Sequence, residues 1–513
     1  MSERLTYASG ALSGELDARF ERSLADLRAG APPRIGHLIA GESVAEGDLF
    51  ERREPSDLDG HCSYTHAAGP ATVARAAQAA RAAQARWRGL RYEERCMHMR
   101  AAGRAIGERH VELAAVVSLE TGKTREESIA EVQEAIDLIE TYCVAIELAR
   151  GFSSPLASLT PAESNLEVLR PYGVFGVIVP FNFPAALAVN MFAAALIAGN
   201  TVVVKPSQAT PWTGSLLGEA MSAAGLPDGA FNLVQGGPET GRALVAADVD
   251  GIAFTGSVPV GREIAGTLSG GRWTRPVLAE MGGKNPAIVT AKADLEKAVH
   301  GVARAAFGLS GQKCSACSRA IVVDGVYDEF VELLRSFTAT FHVGDPSDRA
   351  AALGPVVDER AVRRFEESAA SASSDGAIVA GGHRVEQGGY FVEPTVVCDL
   401  PAKHPLTRDE LFLPFLTVER ARDLGDAIAQ ANAVDYGLSA GVFSEDEGEV
   451  REFLDGIEAG VLYVNRRTGA TTGAWPGSQS FCGWKASGFT GKGGLGPYYL
   501  PQFMREQSHT IVR

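Results

Sequence analysis

The sequence predicts an α/β fold built on parallel sheets and divided into two or three domains. Between residues 173 and 256, short apolar runs rich in valine and isoleucine alternate with longer alanine-rich segments. This alternation of strand-like and helix-like segments is typical of a parallel sheet covered by helices. The chain has 513 residues, of which 45% are hydrophobic and 22% charged, so each domain can bury a core of its own.

The first 50 residues are predicted to form an irregular N-terminal arm. Within it, residues 16–27 are compatible with a helix, and Ala31-Pro32-Pro33 then breaks the pattern. Residues 72–150 predict long helices, because strong helix formers dominate and leave one apolar face. Residues 151–171 begin with turn-forming residues and end in the extended run L-E-V-L-R-P.

Two α/β units follow. The first holds the strand-like runs V-F-G-V-I-V and T-V-V-V-K and a helix start at Ser257, but it lacks the G-x-G-x-x-G phosphate-binding motif. The second, residues 282–464, holds P-A-I-V-T, A-I-V-V-D and G-V-L-Y-V-N in a similar alternation. Ligands of open parallel sheets bind at the carboxyl ends of the strands, so side chains that follow these runs are the functional candidates.

Composition excludes several classes of function. The formal net charge is −15, with no local basic cluster, which argues against nucleic acid or an anionic membrane as partner. The most apolar segment, residues 185–204, is interrupted by polar residues, whereas a membrane span takes about 20 apolar residues. Seven cysteines without regular spacing fit free thiols, and the N-terminus lacks the apolar core of a signal peptide. We therefore expect a cytoplasmic protein.

Cys314 is the residue on which a functional interpretation is built. It follows the segment G-L-S-G-Q-K, whose glycines permit a tight turn and close approach to a ligand. A cysteine attacks as the thiolate, so it needs partial exposure and backbone N–H groups or a nearby cation that favour the anion. A lone cysteine is more often a buried small side chain, and the interpretation therefore depends on its companions.

Three companions follow strand-like runs upstream. Glu280 ends V-L-A-E and precedes two glycines, Asn182 follows V-I-V-P-F, and Lys205 ends T-V-V-V-K. A carboxylate can activate water, an amide can donate to an oxyanion, and a cation can hold a phosphate or ribose. Together with Cys314 they indicate covalent catalysis on a carbonyl beside a nucleotide.

Cys317 forms a C-x-x-C pair with Cys314, a spacing found in zinc sites and redox pairs. No thioredoxin-like unit surrounds the pair, so a redox role is disfavoured. A zinc site would need a second close pair of ligands, and the remaining candidates stand singly: Cys398, Cys482, His342 and His383. We interpret Cys317 as a packing residue and predict no metal site.

Six motifs occur in one order along the chain: P-F-N-F-P at 180–184, K-P-S at 205–207, F-T-G-S-V-P-V-G at 254–261, E-M-G-G-K-N-P at 280–286, G-Q-K-C at 311–314 and E-L-F-L-P at 410–414. From about Arg52 to the C-terminus the chain thereby resembles the NAD(P)-dependent aldehyde dehydrogenases. The resemblance implies an aldehyde dehydrogenase-like fold with a Rossmann-type cofactor domain, an α/β catalytic domain and a small β oligomerisation element.

The resemblance also implies the domain limits and the assembly. The cofactor domain is expected at residues 1–150 and 172–281, with the arm at 1–50, and the catalytic domain at 282–488. Residues 151–171 and 489–513 are expected to form the oligomerisation element of a homo-oligomer, a dimer or a tetramer. The tail beyond Gly488 is expected to return to a neighbouring subunit's sheet.

The catalytic residues implied by the resemblance are Cys314, Glu280, Asn182 and Lys205. Cys314 adds to the aldehyde, and the Asn182 amide with the Cys314 backbone N–H holds the oxyanion, at about 3–4 kcal/mol per donor. Hydride then passes to the nicotinamide, and Glu280 deprotonates the water that hydrolyses the resulting thioester.

NAD is the cofactor that the resemblance implies. Lys205 and Glu410 match positions that hold the riboses, and Gly256 with Ser257 faces the pyrophosphate at a helix start, although an ordinary N-cap is the alternative. Gln208 stands where an acidic residue often repels a 2′-phosphate, so we expect NADP to be used as well. The full set of expected cofactor residues is Val179, Pro180, Phe181, Lys205, Ser207, Gln208, Gly237, Gly241, Phe254, Thr255, Gly256, Ser257, Gly261, Met281, Gly282, Glu410 and Phe412.

The segment after Asn465 resembles the 1-pyrroline-5-carboxylate (glutamate γ-semialdehyde) dehydrogenases. The resemblance implies that Ser315 and the Gly473-Ala474 backbone bind the substrate carboxylate. Phe183 and Phe481 complete the expected substrate set. A plain turn is the alternative, and the repeated T-G-A leaves Gly469 and Ala470 as a competing pair.

Three alternatives to glutamate semialdehyde oxidation stay open at this point. One is oxidation of another semialdehyde, such as succinate semialdehyde, and another is oxidation of general aldehydes. The third is a catalytically silent structural member of the family, which the presence of all four catalytic residues disfavours.

Overall fold

The computed structural model describes residues 5–7, 13–468 and 471–513. The first helix begins at the N-cap Ser13, whose Oγ accepts a hydrogen bond from the Leu16 N–H. The predicted helix at 16–27 lies inside it, whereas the next stretch, expected to be irregular, contains three short strands. The elements of this region are α1 (Gly14–Ala29), β1 (Arg34–Ile35), β2 (His37–Ile39), β3 (Glu42–Val44), β4 (Leu49–Glu54) and β5 (Asp57–His66).

The helical region consists of α2 (Pro70–Gly89), α3 (Tyr92–Glu108), α4 (His110–Thr121) and α5 (Arg125–Leu148). Gly122 ends α4 in the left-handed conformation, and a capping box of Thr124 and Glu127 starts α5. Helix α5 packs against both α3 and α4. Its buried face includes Glu131 and Glu134, and such burial of carboxylates calls for specific partners.

A hairpin, β6 (Ser153–Leu156) and β7 (Glu163–Pro171), leads into the first large sheet. That region contains β8 (Val174–Ile178), α6 (Ala186–Ile197), β9 (Thr201–Lys205), α7 (Pro211–Ala223), β10 (Phe231–Leu233), α8 (Pro238–Ala246), β11 (Gly251–Gly256), α9 (Val258–Ser269) and β12 (Val277–Met281). The strand order is β12-β11-β8-β9-β10-β2-β3, with β8 to β12 parallel and β2 and β3 antiparallel. The carboxyl ends of the parallel strands therefore share one edge.

The second large sheet begins after residues 282–284, close to the domain boundary predicted from the sequence. The division into domains stays a prediction. Its strand order is β15-β18-β19-β14-β13-β21-β22, and only the edge strand β15 pairs antiparallel. The elements are β13 (Asn285–Val289), α10 (Leu295–Phe307), β14 (Cys317–Val323), α11 (Tyr327–Thr338), α12 (Glu359–Asp375), β15 (Ala377–Ala380), β16 (Arg384–Val385), β17 (Phe391–Val392), β18 (Thr395–Cys398), α13 (Pro405–Arg408), β19 (Phe415–Ala421), α14 (Leu424–Asn432), β20 (Tyr436–Gly437), β21 (Ser439–Phe443), α15 (Glu447–Gly456) and β22 (Val461–Val464).

The tail pairs with the chain's own hairpin. It contains β23 (Trp484–Lys485) and β24 (Met504–Val512), and β24 pairs antiparallel with β7 of the same chain, from Met504 opposite Pro171 to Val512 opposite Glu163. The other side of β24 is an edge of this sheet, so the return of the tail to a neighbouring subunit's sheet stays a prediction. An extended strand needs a hydrogen-bonding edge, and the chain's own hairpin supplies one. None of the helices within the described ranges is both long and apolar enough to cross a bilayer.

Candidate active site

A cavity of about 710 Å³ brings together residues of β12, of α5 and of the helices and loops around the second large sheet. Six of the predicted catalytic and substrate residues line it: Phe183, Glu280, Cys314, Ser315, Ala474 and Phe481. The predicted nucleophile and the predicted base therefore face one space that is large enough for a small-molecule substrate.

The loop before Cys314 is held in a demanding backbone conformation. A 3₁₀ helix covers Gly308–Gly311, and Leu309 and Ser310 both have positive φ. Gly311 has a φ of 68°, and a Cβ there would overlap the Leu413 carbonyl, so glycine is required. The Leu309 N–H donates to Glu127 at 2.7 Å, and Ser310 donates to the Gly354 carbonyl at 2.6 Å. These bonds fix the direction in which the chain enters Cys314.

Cys314 is half-buried, and its carbonyl accepts a hydrogen bond from Asn285 Nδ2 at 2.7 Å. Burial raises its pKa to about 12, and the carboxylates of Glu410 and Glu280 act in the same direction. The backbone N–H groups of Ser315 and Cys314 lower the pKa only in part. A reactive thiolate needs surroundings that favour the anion. Here burial and the two carboxylates outweigh the backbone N–H groups that favour it. Cys314 is a thiol at neutral pH and needs a base to take its proton.

Glu280 lies near the end of β12 and is buried. Its Oε1 accepts a hydrogen bond from the Gly494 N–H at 2.8 Å. Burial raises its pKa to about 7, which the Gly494 hydrogen bond offsets in part. A carboxylate with this pKa is able to accept a proton near neutral pH and lines the same cavity as the thiol.

The other two predicted catalytic residues are not among the residues that line the cavity. Asn182 is buried in the loop after β8, immediately before the cavity-lining Phe183. Lys205 ends β9, and its Nζ donates to the carbonyls of Pro206 at 2.8 Å and Gly236 at 3.2 Å. Burial lowers the Lys205 pKa to about 8. Lys205 therefore belongs to the sheet edge where a cofactor is expected.

Several predicted cofactor residues come from distant parts of the chain and meet in space. The rings of Phe181 and Phe412 pack edge-to-face, with centroids 5.9 Å apart. Glu410 Oε1 accepts a hydrogen bond from the Gly283 N–H at 2.9 Å, and burial raises its pKa to about 7. A Cβ at Gly282 would overlap this carboxylate, so the close approach of Glu410 to residue 282 depends on glycine.

The remaining predicted cofactor residues lie at strand ends and in first helical turns along one edge. Ser257 occupies the N-cap position of α9, but its side chain makes no capping hydrogen bond, unlike an ordinary N-cap serine. Gln208 is exposed and adjoins Gly237. The others lie in the last part of β11 or β12, follow β8 or β9, or lie in the first turn of α8 or α9: Val179, Pro180, Ser207, Gly241, Phe254, Thr255, Gly256, Gly261 and Met281.

This edge suits a dinucleotide. It combines the buried Lys205 at the end of β9, the start of α9 without a side-chain cap after β11, and the Glu410 carboxylate, which accepts the Gly283 N–H just past the end of β12. A helix N-terminus favours phosphate, and a carboxylate accepts hydrogen bonds from ribose hydroxyls. The residues present therefore fit NAD or NADP.

The predicted carboxylate anchor is only partly arranged for a substrate. The Ala474 N–H donates to Thr472 Oγ1 at 3.1 Å, so this donor is already used. Gly473 adjoins Arg466 and Gln479 instead of the cavity-lining set. The competing pair, Gly469 and Ala470, lies outside the described residues.

Several charged residues of the cavity were not predicted to be site residues from the sequence. Lys313 lines the cavity, and burial lowers its pKa. Lys123 pairs with the buried Glu131, and its Nζ lies 3.8 Å from the Phe183 ring centroid. Glu134, also on α5, accepts a hydrogen bond from Tyr7. The i, i+4, i+7 spacing of Glu127, Glu131 and Glu134 is a sequence signal for a carboxylate face on one helix.

Cys317 lies in the second sheet's core, where it is 1% exposed and donates to the Arg319 carbonyl at 3.5 Å. It is therefore placed for packing and is directed away from the cavity-lining set. Among the residues that the structure describes, no three metal-ligating side chains come together.

Comparisons with known proteins agree with this geometry. The model of the aldehyde dehydrogenase family matches residues 43–509. The 1-pyrroline-5-carboxylate dehydrogenase of Geobacillus sp. (strain WCH70) is 34% identical over 496 residues, covering 95% of each chain. The protein of that name from Geobacillus thermodenitrificans is 36% identical over 478 residues, covering 92% of each. The structure of 1-pyrroline-5-carboxylate dehydrogenase from Thermus with bound NAD superposes with a TM-score of 0.94, at 32% identity and full coverage of both chains.

Proposed function

The chain belongs to the aldehyde dehydrogenase family, and from that premise we propose that it oxidises L-glutamate γ-semialdehyde to glutamate with NAD. The observation that carries the proposal is that Cys314, Ser315 and Glu280 line one cavity beside an edge that fits a dinucleotide. The relatives named 1-pyrroline-5-carboxylate dehydrogenase support the choice of substrate. A cytoplasmic location stays a prediction.

Catalysis begins with the Cys314 proton. Because the thiol pKa is raised to about 12 and the Glu280 pKa to about 7, Glu280 accepts the proton, directly or through one water. The Cys314 sulfur then forms a bond to the aldehyde carbon, and the carbonyl oxygen becomes an oxyanion. The product of this step is a thiohemiacetal on Cys314.

Asn182 and the Cys314 backbone N–H stabilise the oxyanion. Removing such a donor typically costs about 3–4 kcal/mol of transition-state stabilisation. When bound, NAD supplies the hydride acceptor that takes the thiohemiacetal to a thioester. Lys205 and Glu410 would hold the cofactor's riboses, Gly256 and Ser257 would hold its pyrophosphate, and Phe412 would lie beside its nicotinamide.

Glu280 first releases to solvent the proton that it took from Cys314, and it then acts a second time, in hydrolysis of the Cys314 thioester. Its carboxylate takes a proton from water, the water oxygen adds to the thioester carbon, and the carbon–sulfur bond breaks. The acid leaves, and Cys314 is released as the thiolate. Rotation of Glu280 toward the thioester requires loss of its hydrogen bond from Gly494.

The substrate carboxylate is expected at the end of the cavity near Ser315 and Ala474. Lys313 adds positive charge to the same lining. A carboxylate would compete with Thr472 Oγ1 for the Ala474 N–H. Recognition therefore includes a small rearrangement of this segment.

A second candidate function is favoured by that same hydrogen bond. Because the Ala474 N–H is already satisfied, the cavity also suits small aldehydes without a carboxylate. Succinate semialdehyde is an intermediate case. The three types of substrate differ only in the group that meets residues 472–474.

The test is the initial rate of NADH or NADPH formation with glutamate semialdehyde, succinate semialdehyde and propanal, each with both cofactors. The proposal expects kcat/KM for glutamate semialdehyde to exceed that for propanal by about 100-fold or more, the discrimination typical of a polar anchor. Equal values for all three would favour the second candidate. Absence of activity on every aldehyde would overturn the proposed function.

The proposal includes a homo-oligomer, either a dimer or a tetramer. All four residues of β6 are exposed, and Leu159 and Val512 are 90% and 69% exposed. Exposed apolar side chains such as these on a hairpin suit contact with a second copy of the chain. We expect Leu159→Asp to lower the mass measured by light scattering, whereas Leu148→Asp outside the hairpin serves as the matched control. An unchanged mass for Leu159→Asp would contradict assembly through the hairpin.

A further inference from the structure

The N-terminal arm contributes a wall of the substrate cavity. Leu5, Thr6 and Tyr7 line the same space as Cys314 and Glu280. No motif marks these residues in the sequence, and they lie about 300 positions before the nucleophile. Their presence in the cavity is therefore a result of tertiary packing.

Tyr7 touches two segments that are predicted to surround the substrate. Its ring meets the Phe183 ring edge-on, with centroids 6.2 Å apart, and the Trp475 ring, with centroids 5.6 Å apart. Phe183 follows the oxyanion donor Asn182, and Trp475 follows Ala474. Tyr7 thus lies between the segment at the reacting carbonyl and the segment at the substrate's far end.

Two carboxylates on helix α5 accept hydrogen bonds from the polar atoms of the Tyr7 and Trp475 rings. The Tyr7 hydroxyl donates to Glu134 Oε2 at 2.7 Å, and Trp475 Nε1 donates to Asp137 Oδ2 at 2.9 Å. The two carboxylates are three residues apart and so lie on the same helix face. Because Glu134 is buried, the hydroxyl gives it a donor that water cannot readily supply. The Tyr7 ring is therefore fixed in the cavity wall.

The arm's helix is also fastened to another part of the wall. Arg125 at the start of α5 pairs with Asp17 and with Glu21, the latter at 2.9 Å. Arg349 pairs with Glu21 at 2.7 Å and itself lines the cavity. These ion pairs hold α1 against the cavity-forming parts of both large units.

We propose that Tyr7 is a specificity-determining residue that limits the length of the aldehyde accepted beside Cys314. Its ring occupies space between Phe183 and Trp475 into which a longer aliphatic chain would extend. The Glu134 hydrogen bond keeps the ring there. This inference rests on the proposed function, since it assigns the cavity to the aldehyde.

The test uses two substitutions that change the ring's size in opposite directions. For straight-chain aldehydes from propanal to octanal, Tyr7→Ala should raise the octanal-to-propanal ratio of kcat/KM by about tenfold, because a methylene or two of cavity length is worth that much. Tyr7→Trp should lower the ratio. A loss of packing would reduce all rates alike and leave the ratio unchanged. Tyr498→Ala, at an exposed tyrosine, is the matched control and should leave the ratio unchanged.

A second measurement does not depend on turnover. Alkylation of Cys314 by iodoacetamide and by N-hexyl iodoacetamide is followed by mass spectrometry of the Cys314 peptide. Tyr7→Ala should increase the relative rate of the longer reagent, and Tyr7→Trp should decrease it. Thermal unfolding checks that each variant folds, and if Tyr7→Ala does not, the Tyr7→Trp result decides.

The outcomes separate the inference from the proposed function. A wild-type protein that oxidises aldehydes but whose length profile is the same in both variants overturns the role of Tyr7 alone. A wild-type protein that oxidises no aldehyde overturns the proposed function, and the alkylation rates then decide whether Tyr7 limits access to Cys314. Ratios that shift in the same direction in both variants also overturn the inference.

Discussion

The cofactor edge and the substrate cavity meet at Cys314 and are built in different ways. The edge consists of residues at the ends of β8, β9, β11 and β12, which are hydrogen-bonded in parallel. The cavity instead draws its lining from segments between Leu5 and Leu495. A parallel sheet brings its strand ends together wherever the strands form, whereas a cavity wall depends on how distant segments pack. Motifs therefore predict the edge better than the cavity.

Glu410 and Glu280 show the same contrast at the level of single residues. Burial raises the pKa of each to about 7, and each accepts one backbone N–H, from Gly283 and Gly494 respectively. Their electrostatics are alike. Of the two, Glu280 lines the cavity and Glu410 does not, so position rather than pKa separates the predicted base from the predicted cofactor ligand.

The largest expected effect is that of replacing Cys314, the residue at which the cofactor edge and the substrate cavity meet. Cys314→Ala removes the nucleophile and should lower kcat by about 10,000-fold or more, as for other covalent catalysts. Cys317→Ala is the matched control, because its thiol packs in the core and should affect thermal stability more than kcat. Steady-state rates and thermal unfolding of both variants check this. Equal loss of activity in both would contradict the separate roles.

The next test compares the two carboxylates. Glu280→Gln should lower kcat by about 100- to 1,000-fold, the usual contribution of a general base. Because the proposal has Glu280 act before and after hydride transfer, the rate of the first NADH turnover should fall along with the steady-state rate. Glu410→Gln should mainly raise the KM for NAD. Stopped-flow absorbance distinguishes them, and a slower first turnover in the Glu410 variant alone would reverse the assignment.

The pH profile sharpens the same comparison. Because Glu280 must be ionised to accept a proton and its pKa is raised to about 7, kcat should fall as the pH drops below 7, by about tenfold per unit for a single proton. The profile of Glu280→Gln should lose this limb. If kcat of the wild-type protein fell only near the ordinary pKa of glutamate, burial would not set the pKa of Glu280.

The smallest expected effect concerns the cofactor edge. Gln208→Glu places a carboxylate where a 2′-phosphate is expected, and like-charge repulsion should lower kcat/KM for NADP by about tenfold. The value for NAD should change much less, and Gln208→Ala serves as the uncharged control. Equal changes for both cofactors would place Gln208 away from the ribose.

Much of the fold was accessible from the sequence. The α/β class and the aldehyde dehydrogenase family, predicted from strand–helix alternation and six motifs, are confirmed by the family match and the solved relatives. Strand ends such as Lys205 and Met281 fall where the apolar runs end. The roles of the individual site residues stay predictions. The short strands at 34–44 were not predicted, because two or three residues carry no detectable periodicity.

What the sequence determined by itself is local: where apolar runs begin and end, and where the chain requires a glycine such as Gly311 at the Cys314 loop. The tertiary structure decided the contacts between distant segments. In it, Tyr7 packs against Phe183 and Trp475, β24 pairs with β7, and the Ala474 N–H donates a hydrogen bond to Thr472. Such contacts depend on the packing of segments up to hundreds of residues apart, and no short motif encodes their distance.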